Sequence, residues 1–153
     1  MSTATAPRVV TGHIGLNVSD LERSIAFYRQ AFGFDELAVS ADGAQRFAFL
    51  GFDSGPVLTL WEQSSGEFSA ATPGLHHLSF QVDSVRQVQQ VEAILKQLST
   101  VFVHDGVVAH REGATSGGIF FTDPDGIRLE VFVASGAEQH QAPVGDAPTC
   151  GFF

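Results

Sequence analysis

Two histidines and a glutamate stand where one side of a sheet could gather them. His13 opens the run "HIGLNVSD", His77 opens "HLSFQVDS" 64 residues later, and Glu130 lies within "IRLEVFV". Apolar residues alternate in all three runs: Ile14, Leu16 and Val18; Leu78, Phe80 and Val82; Leu129, Val131 and Val133. A strand sends successive side chains to opposite faces. His13, Gly15 and Asn17, then His77, Ser79 and Gln81, then Arg128, Glu130 and Phe132 therefore share the polar side, which leaves His76 with the buried set. Neutral imidazole and carboxylate together suit divalent Mn, Fe, Zn, Co or Ni, with positions left open for substrate oxygens. Sulfur is not available for this work, because Cys150 is the only cysteine and one thiol builds neither a disulfide framework nor a zinc cage.

The elements that must position these groups are written twice. Each strand is followed by a helix-start spacing, Ser19 with Glu22 and Ser84 with Gln87, which predicts a capping box at each helix N-terminus. Leu21, Ile25, Tyr28 and Phe32 form the apolar stripe of the first helix, and Gly33 stands where a left-handed C-terminal residue belongs. The second stripe is Val85, Val88, Val91, Leu95 and Leu98. Further strands are expected at 35–40, 45–52 and 57–62, then at 101–104, 117–122 and 127–133. The "DPDG" stretch from Asp123 to Gly126 is a tight turn between two of them. Each half therefore reads β-α-β-β-β, an α+β chain with an arm at 1–8, a first module at 9–66, a second at 74–134 and a tail at 135–153. That tail is rich in Gly, Ala, Pro and Gln and predicts weak intrinsic structure, although "CGFF" is apolar enough to dock.

Composition excludes several functions. With 153 residues and 44% hydrophobic content, one core of ordinary size is expected. Eight basic residues against 17 acidic give a formal charge of −9, with no Lys or Arg cluster to track a phosphate backbone, so nucleic acid is not an expected partner. No apolar run is long enough to span a bilayer, and "MSTATAPR" lacks a signal core. No membrane partner is expected, and the expected location is cytoplasmic.

The runs "HIGLNVSDLERSIAFYRQAFGF" and "FFTDPDGIRLEVF", at this spacing, resemble the vicinal oxygen chelate superfamily. That group includes glyoxalase I, fosfomycin resistance proteins, extradiol dioxygenases and bleomycin-type binding proteins, and the likeness covers about 9–135. The resemblance implies two βαβββ modules forming a cup-shaped mixed, mostly antiparallel sheet with helices outside, usually in a homodimer. It also implies a metal held by His13, His77 and Glu130, with Glu130 serving the chemistry as well. A fourth ligand would come from the last strand of module one, where aligning Leu58 with Leu129 puts Thr59 opposite Glu130. Glu62 lies three residues further on, reads as a solvated strand-end charge, and would need a bulge to enter. Loss of that carboxylate departs from the glyoxalase I pattern and leaves a set similar to fosfomycin-modifying and extradiol enzymes. With Phe120 near the turn, and Arg46, Arg111 and Arg128 scattered, an anionic phosphonate is disfavoured.

Phe47, Phe49, Thr59, Trp61, Phe120 and Phe132 are candidates for the walls of a substrate pocket. His110 is a candidate acid or base if "HREGATSGG" folds over the cup; His104 and His140 carry no assignment. Two functions follow. One is a divalent-metal enzyme acting on a small molecule with adjacent oxygens, by glyoxalase-like, dioxygenase-like or ring-opening chemistry. The other is a metal-free protein that sequesters a small molecule such as an antibiotic.

Overall fold

A computed structural model describes residues 5–153. Its elements follow the repeat: β1 (Ile14–Val18), α1 (Leu21–Phe32), β2 (Asp35–Ser40), β3 (Phe47–Phe52), β4 (Gly55–Glu62), β5 (Leu78–Val82), α2 (Val85–Gln97), β6 (Val108–Ala109), β7 (Gly117–Thr122) and β8 (Arg128–Val133). Two four-stranded sheets result, ordered β1-β4-β3-β2 and β5-β8-β7-β6. In each the first strand runs parallel to the last, and the other pairings are antiparallel. No helix among the described residues is long and apolar enough to cross a membrane.

Alternation decides which rows are buried. Leu16, Val18, Leu58 and Leu60 of one sheet and Leu78, Leu129, Val131 and Val133 of the other belong to one apolar cluster. The helices meet each other in that cluster, with Leu21, Phe27, Tyr28 and Ala31 of α1 and Val88 and Leu95 of α2 buried. Because strand faces alternate, the opposite row of each sheet faces away from this shared core.

A polar clamp also joins the modules. The Tyr28 hydroxyl donates to Asp123 Oδ2 at 2.8 Å, and Asp123 Oδ1 accepts from the N–H groups of Asp125 and Ile127, each at 2.9 Å. Asp125 accepts in turn from the Ser19 N–H at 3.0 Å, the Ser19 hydroxyl and the Arg23 guanidinium at 2.8 Å. Thus the "DPDG" turn leading into β8 is held by the start of the first helix.

Several local expectations are corrected. The N-cap of α1 is Asp20, whose side chain accepts from the Arg23 N–H at 2.9 Å, because Asp125 of the other module takes Ser19. Ser84 does cap α2. The 101–104 run forms only an isolated bridge, Phe102 to Phe121, and the edge strand is β6 instead. There the facing glycines permit close pairing: a Cβ on Gly117 would fall 2.5 Å from the Val108 carbonyl oxygen. The tail is more structured than its composition suggests, with Ala137 and Thr149 buried against module two.

Candidate functional site

Glu130 sits mid-strand in β8, and register chooses its neighbours. Ser79 of β5 lies across from it on one side and Phe120 of β7 on the other. Ser79 is too small to cover the carboxylate, so His77, just before β5, reaches it: Nε2 lies 3.6 Å from Glu130 Oε2. His110, immediately after β6, places its Nε2 2.5 Å from Glu130 Oε1 and its Nδ1 2.8 Å from Ser116 Oγ. Glu130 is only 3% exposed, and a carboxylate so buried requires polar partners. Both of its oxygens face imidazole.

The environment favours a neutral His77. Burial pushes its pKa below the usual range, Glu130 opposes this, and the neighbouring His76, Arg128 and His110 charges add to the lowering. Neutral imidazole is the form with a lone pair to offer. His76 is exposed, not buried with the strand's apolar row, and its Nδ1 lies 2.8 Å from His77 Nδ1. That contact orients the His77 ring with Nε2 toward Glu130.

Aromatic rings close the surroundings. Phe120 is fully buried, with its centroid 6.2 Å from His110, 5.6 Å from His104 and 5.3 Å from Phe153. Phe132 lies 5.6 Å from His110. A groove of about 490 Å³ opens beside His110, lined also by Ser116, Pro148 and Cys150. A smaller cleft of about 210 Å³, between Asn17, Phe68 and Asp125, contains no imidazole and has no evident part in this chemistry.

The remaining candidates lie on module one. Thr59 pairs with Gly15 as Glu130 pairs with Ser79, so the hydroxyl does occupy the position that would carry a fourth ligand. It accepts from Trp61 Nε1 at 3.1 Å. Phe47, Phe49 and Trp61 form one half-buried cluster with centroids 5.2–6.1 Å apart. Glu62 is not a solvated charge: Oε2 accepts from the Leu21 N–H at 2.6 Å and Oε1 from Arg46 Nε at 2.9 Å, which commits it to the start of α1.

His13 does not join the other two ligand candidates. It is exposed ahead of β1, and no three His, Cys, Asp or Glu side chains among the described residues cluster closely enough to hold a metal ion. His110, the nearest third imidazole, has its nitrogens directed at Glu130 and Ser116. His104 Nε2 is buried without a partner, and His140 lies in the tail, where its N–H donates to the Ala137 carbonyl at 2.9 Å. Ser116, His76 and Phe153 were not legible as site residues, apart from the apolar character of "CGFF".

The family profile described as the Glyoxalase/Bleomycin resistance protein/Dioxygenase superfamily matches residues 11–131. A probable trivalent organoarsenical cleaving enzyme of Bacillus subtilis (strain 168) is 30% identical over 144 residues, covering 90% of this chain and 88% of that protein. The trivalent organoarsenical cleaving enzyme of Bacillus sp. (strain MD1) is 27% identical over 138 residues, covering 90% and 80%. Among solved structures, a glyoxylase/bleomycin resistance protein/dioxygenase domain from Frankia sp. EAN1pec aligns with a TM-score of 0.73 at 26% identity, over 88% of this chain and 98% of that one. A mutant of the fosfomycin resistance protein FosX of Listeria monocytogenes, in complex with Mn(II) and 1S,2S-dihydroxypropylphosphonic acid, shares the fold with a TM-score of 0.65 at 20% identity, over 84% and 95%. With the profile spanning both modules, the chain belongs to the glyoxalase/bleomycin resistance/dioxygenase superfamily.

Proposed function

We propose that this protein is a divalent-metal-dependent enzyme acting on a small molecule with adjacent oxygens. His77 and Glu130 of one copy and His13 of a second copy would hold the ion. The observation that carries this reading is the buried Glu130 carboxylate with His77 Nε2 3.6 Å from Oε2 on the face turned away from the core. A hard carboxylate beside a neutral imidazole fits a first-row divalent ion, and that pair alone leaves positions to fill. Mn(II) in FosX supports the choice of ion.

A second copy accounts for what one chain leaves undone. Exposed His13 and the cluster Phe47, Phe49 and Trp61 share the outward row of module one, while His77 and Glu130 occupy the matching row of module two. An isologous dimer would lay one against the other twice and roof each site with aromatic rings.

Bound there, the ion would polarise substrate oxygens and stabilise developing negative charge. The chain's own residues would hold the geometry. His110 fixes Glu130 through Oε1 and Ser116 orients the His110 ring, and the groove beside His110 would let a substrate approach the site. Substrate oxygens are favoured over trivalent arsenic as the recognised group. Arsenic in that state prefers sulfur, and the chain has the single thiol Cys150, whose pKa is raised by burial and by Glu130.

Metal analysis of protein purified without chelator or histidine tag tests the reading. A stoichiometric first-row ion in the wild type, lost in His77→Ala, is expected. Absence of metal from both would overturn it in favour of metal-free sequestration.

A further inference from the structure

The segment after Pro148 lies across the candidate site in two differently held parts. Thr149 is fully buried: its N–H donates to the His110 carbonyl at 2.7 Å and its hydroxyl to the Ala109 carbonyl at 2.8 Å. These bonds anchor the short 3-10 turn Thr149–Gly151 on β6. Beyond it the hold is weaker. Gly151 and Phe152 are exposed, and no backbone hydrogen bond fixes Phe153 among the described residues.

Only side-chain contacts place the Phe153 ring. It lies 5.4 Å from His77, at an interplanar angle of 32°, 5.3 Å from Phe120 and 6.2 Å from His76, with Arg128 Cζ 5.5 Å from its centroid. These neighbours surround the very imidazole that the proposed site uses. A ligand approaching His77 and Glu130 from this side meets the ring first.

We infer that Gly151–Phe153 is a displaceable plug, in which the Phe153 ring holds the place of a ligand's flat body beside His77 and beneath Arg128. The ligand that displaces it is a planar aromatic anion: its ring replaces Phe153 against Phe120, and its charge meets the guanidinium. The Thr149–Gly151 turn stays anchored while Phe152 and Phe153 swing away, with exposed Gly151 as the pivot. The inference rests on the proposed function only in placing the ligand beside His77 and Glu130.

Benzoate, titrated calorimetrically into full-length protein, is the probe. A plug that is closed most of the time weakens apparent affinity by the fraction open, so Phe153→Ala is expected to bind benzoate about tenfold more tightly than the wild type. Phe153→Trp is expected to bind no more tightly than the wild type. Equal or weaker binding by Phe153→Ala, or no benzoate binding to either protein, would overturn the plug. Metal content of the same preparations judges the metal reading separately, since the benzoate comparison is made without added metal.

Discussion

Tyr28→Phe removes one oxygen from the clamp between modules, and its cost follows from the surroundings. Tyr28 is fully buried and Asp123 is 5% exposed, so the variant leaves a buried carboxylate short of one partner. A hydrogen bond to a charged acceptor contributes about 1.5–3 kcal/mol. For a chain of this size that corresponds to a fall in Tm of roughly 4–10 °C. The loss should depend on pH. Asp123 has its pKa raised, first by burial, while the Tyr28 hydroxyl and the two backbone N–H groups oppose the rise. A carboxyl raised in the folded state contributes stability that is fully present below its unfolded pKa and is lost as pH rises through the folded value. Removing Tyr28 raises it further, so the deficit of the variant should be small near pH 4 and grow toward pH 7. Thermal melts followed by circular dichroism at both pH values measure this. A Tm within about 1 °C of the wild type at pH 7, where several degrees are expected, would refute the assignment of Tyr28–Asp123 as a buried clamp.

Other outcomes follow from the site and its supports. If His13 comes from a second copy, neither His13→Ala nor His77→Ala binds metal alone, yet an equimolar remixed sample should recover roughly a quarter of wild-type metal per chain, since half the dimers are mixed and each holds one intact site. No recovery after verified subunit exchange would place all three ligands in one chain. His110→Ala should weaken metal affinity about 10–100-fold by freeing Glu130 Oε1, read by competition with a fluorescent chelator; unchanged affinity would remove His110 from that role. Gly118→Ala should cost about 1–3 kcal/mol by urea denaturation, because its Cβ would land on the Val131 carbonyl oxygen of the neighbouring strand.

Alternation and repeat carried far in the sequence because both are local. The period of two separates Leu129, Val131 and Val133 from Glu130, and the repeat aligns Thr59 with Glu130 before any register is seen. Long-range choices were not legible. Ser19 and Asp20 are equally good caps by type, and Asp125, 106 residues away, decides between them. Val101 and Val103 bond to β7 through the Thr122 N–H and the Phe120 carbonyl, yet the ladder continues only at Val108–Ala109, where Gly117 and Gly118 face them. The convergence of His110 on Glu130 depends on that same short pairing, and no spacing in the sequence encodes it. Nor does composition reveal the tail, since Ala137 and Thr149 are buried and the N–H groups of Ala109 and Glu112 bond to the Gln141 and Gly145 carbonyls, contacts made between distant stretches of chain.

The clamp also bears on the connection between the halves. Residues 69–75 are exposed and form no regular element, and the hydrogen bonds of Ala71 and Thr72 there are local, to Ser69. Tyr28, Ser19 and Arg23 meanwhile grip Asp123 and Asp125 across the shared core. The covalent tether is therefore dispensable once folding is complete: a protease nick between Ser69 and Gly74 should leave two fragments migrating as one particle, and the halves expressed separately should reassemble.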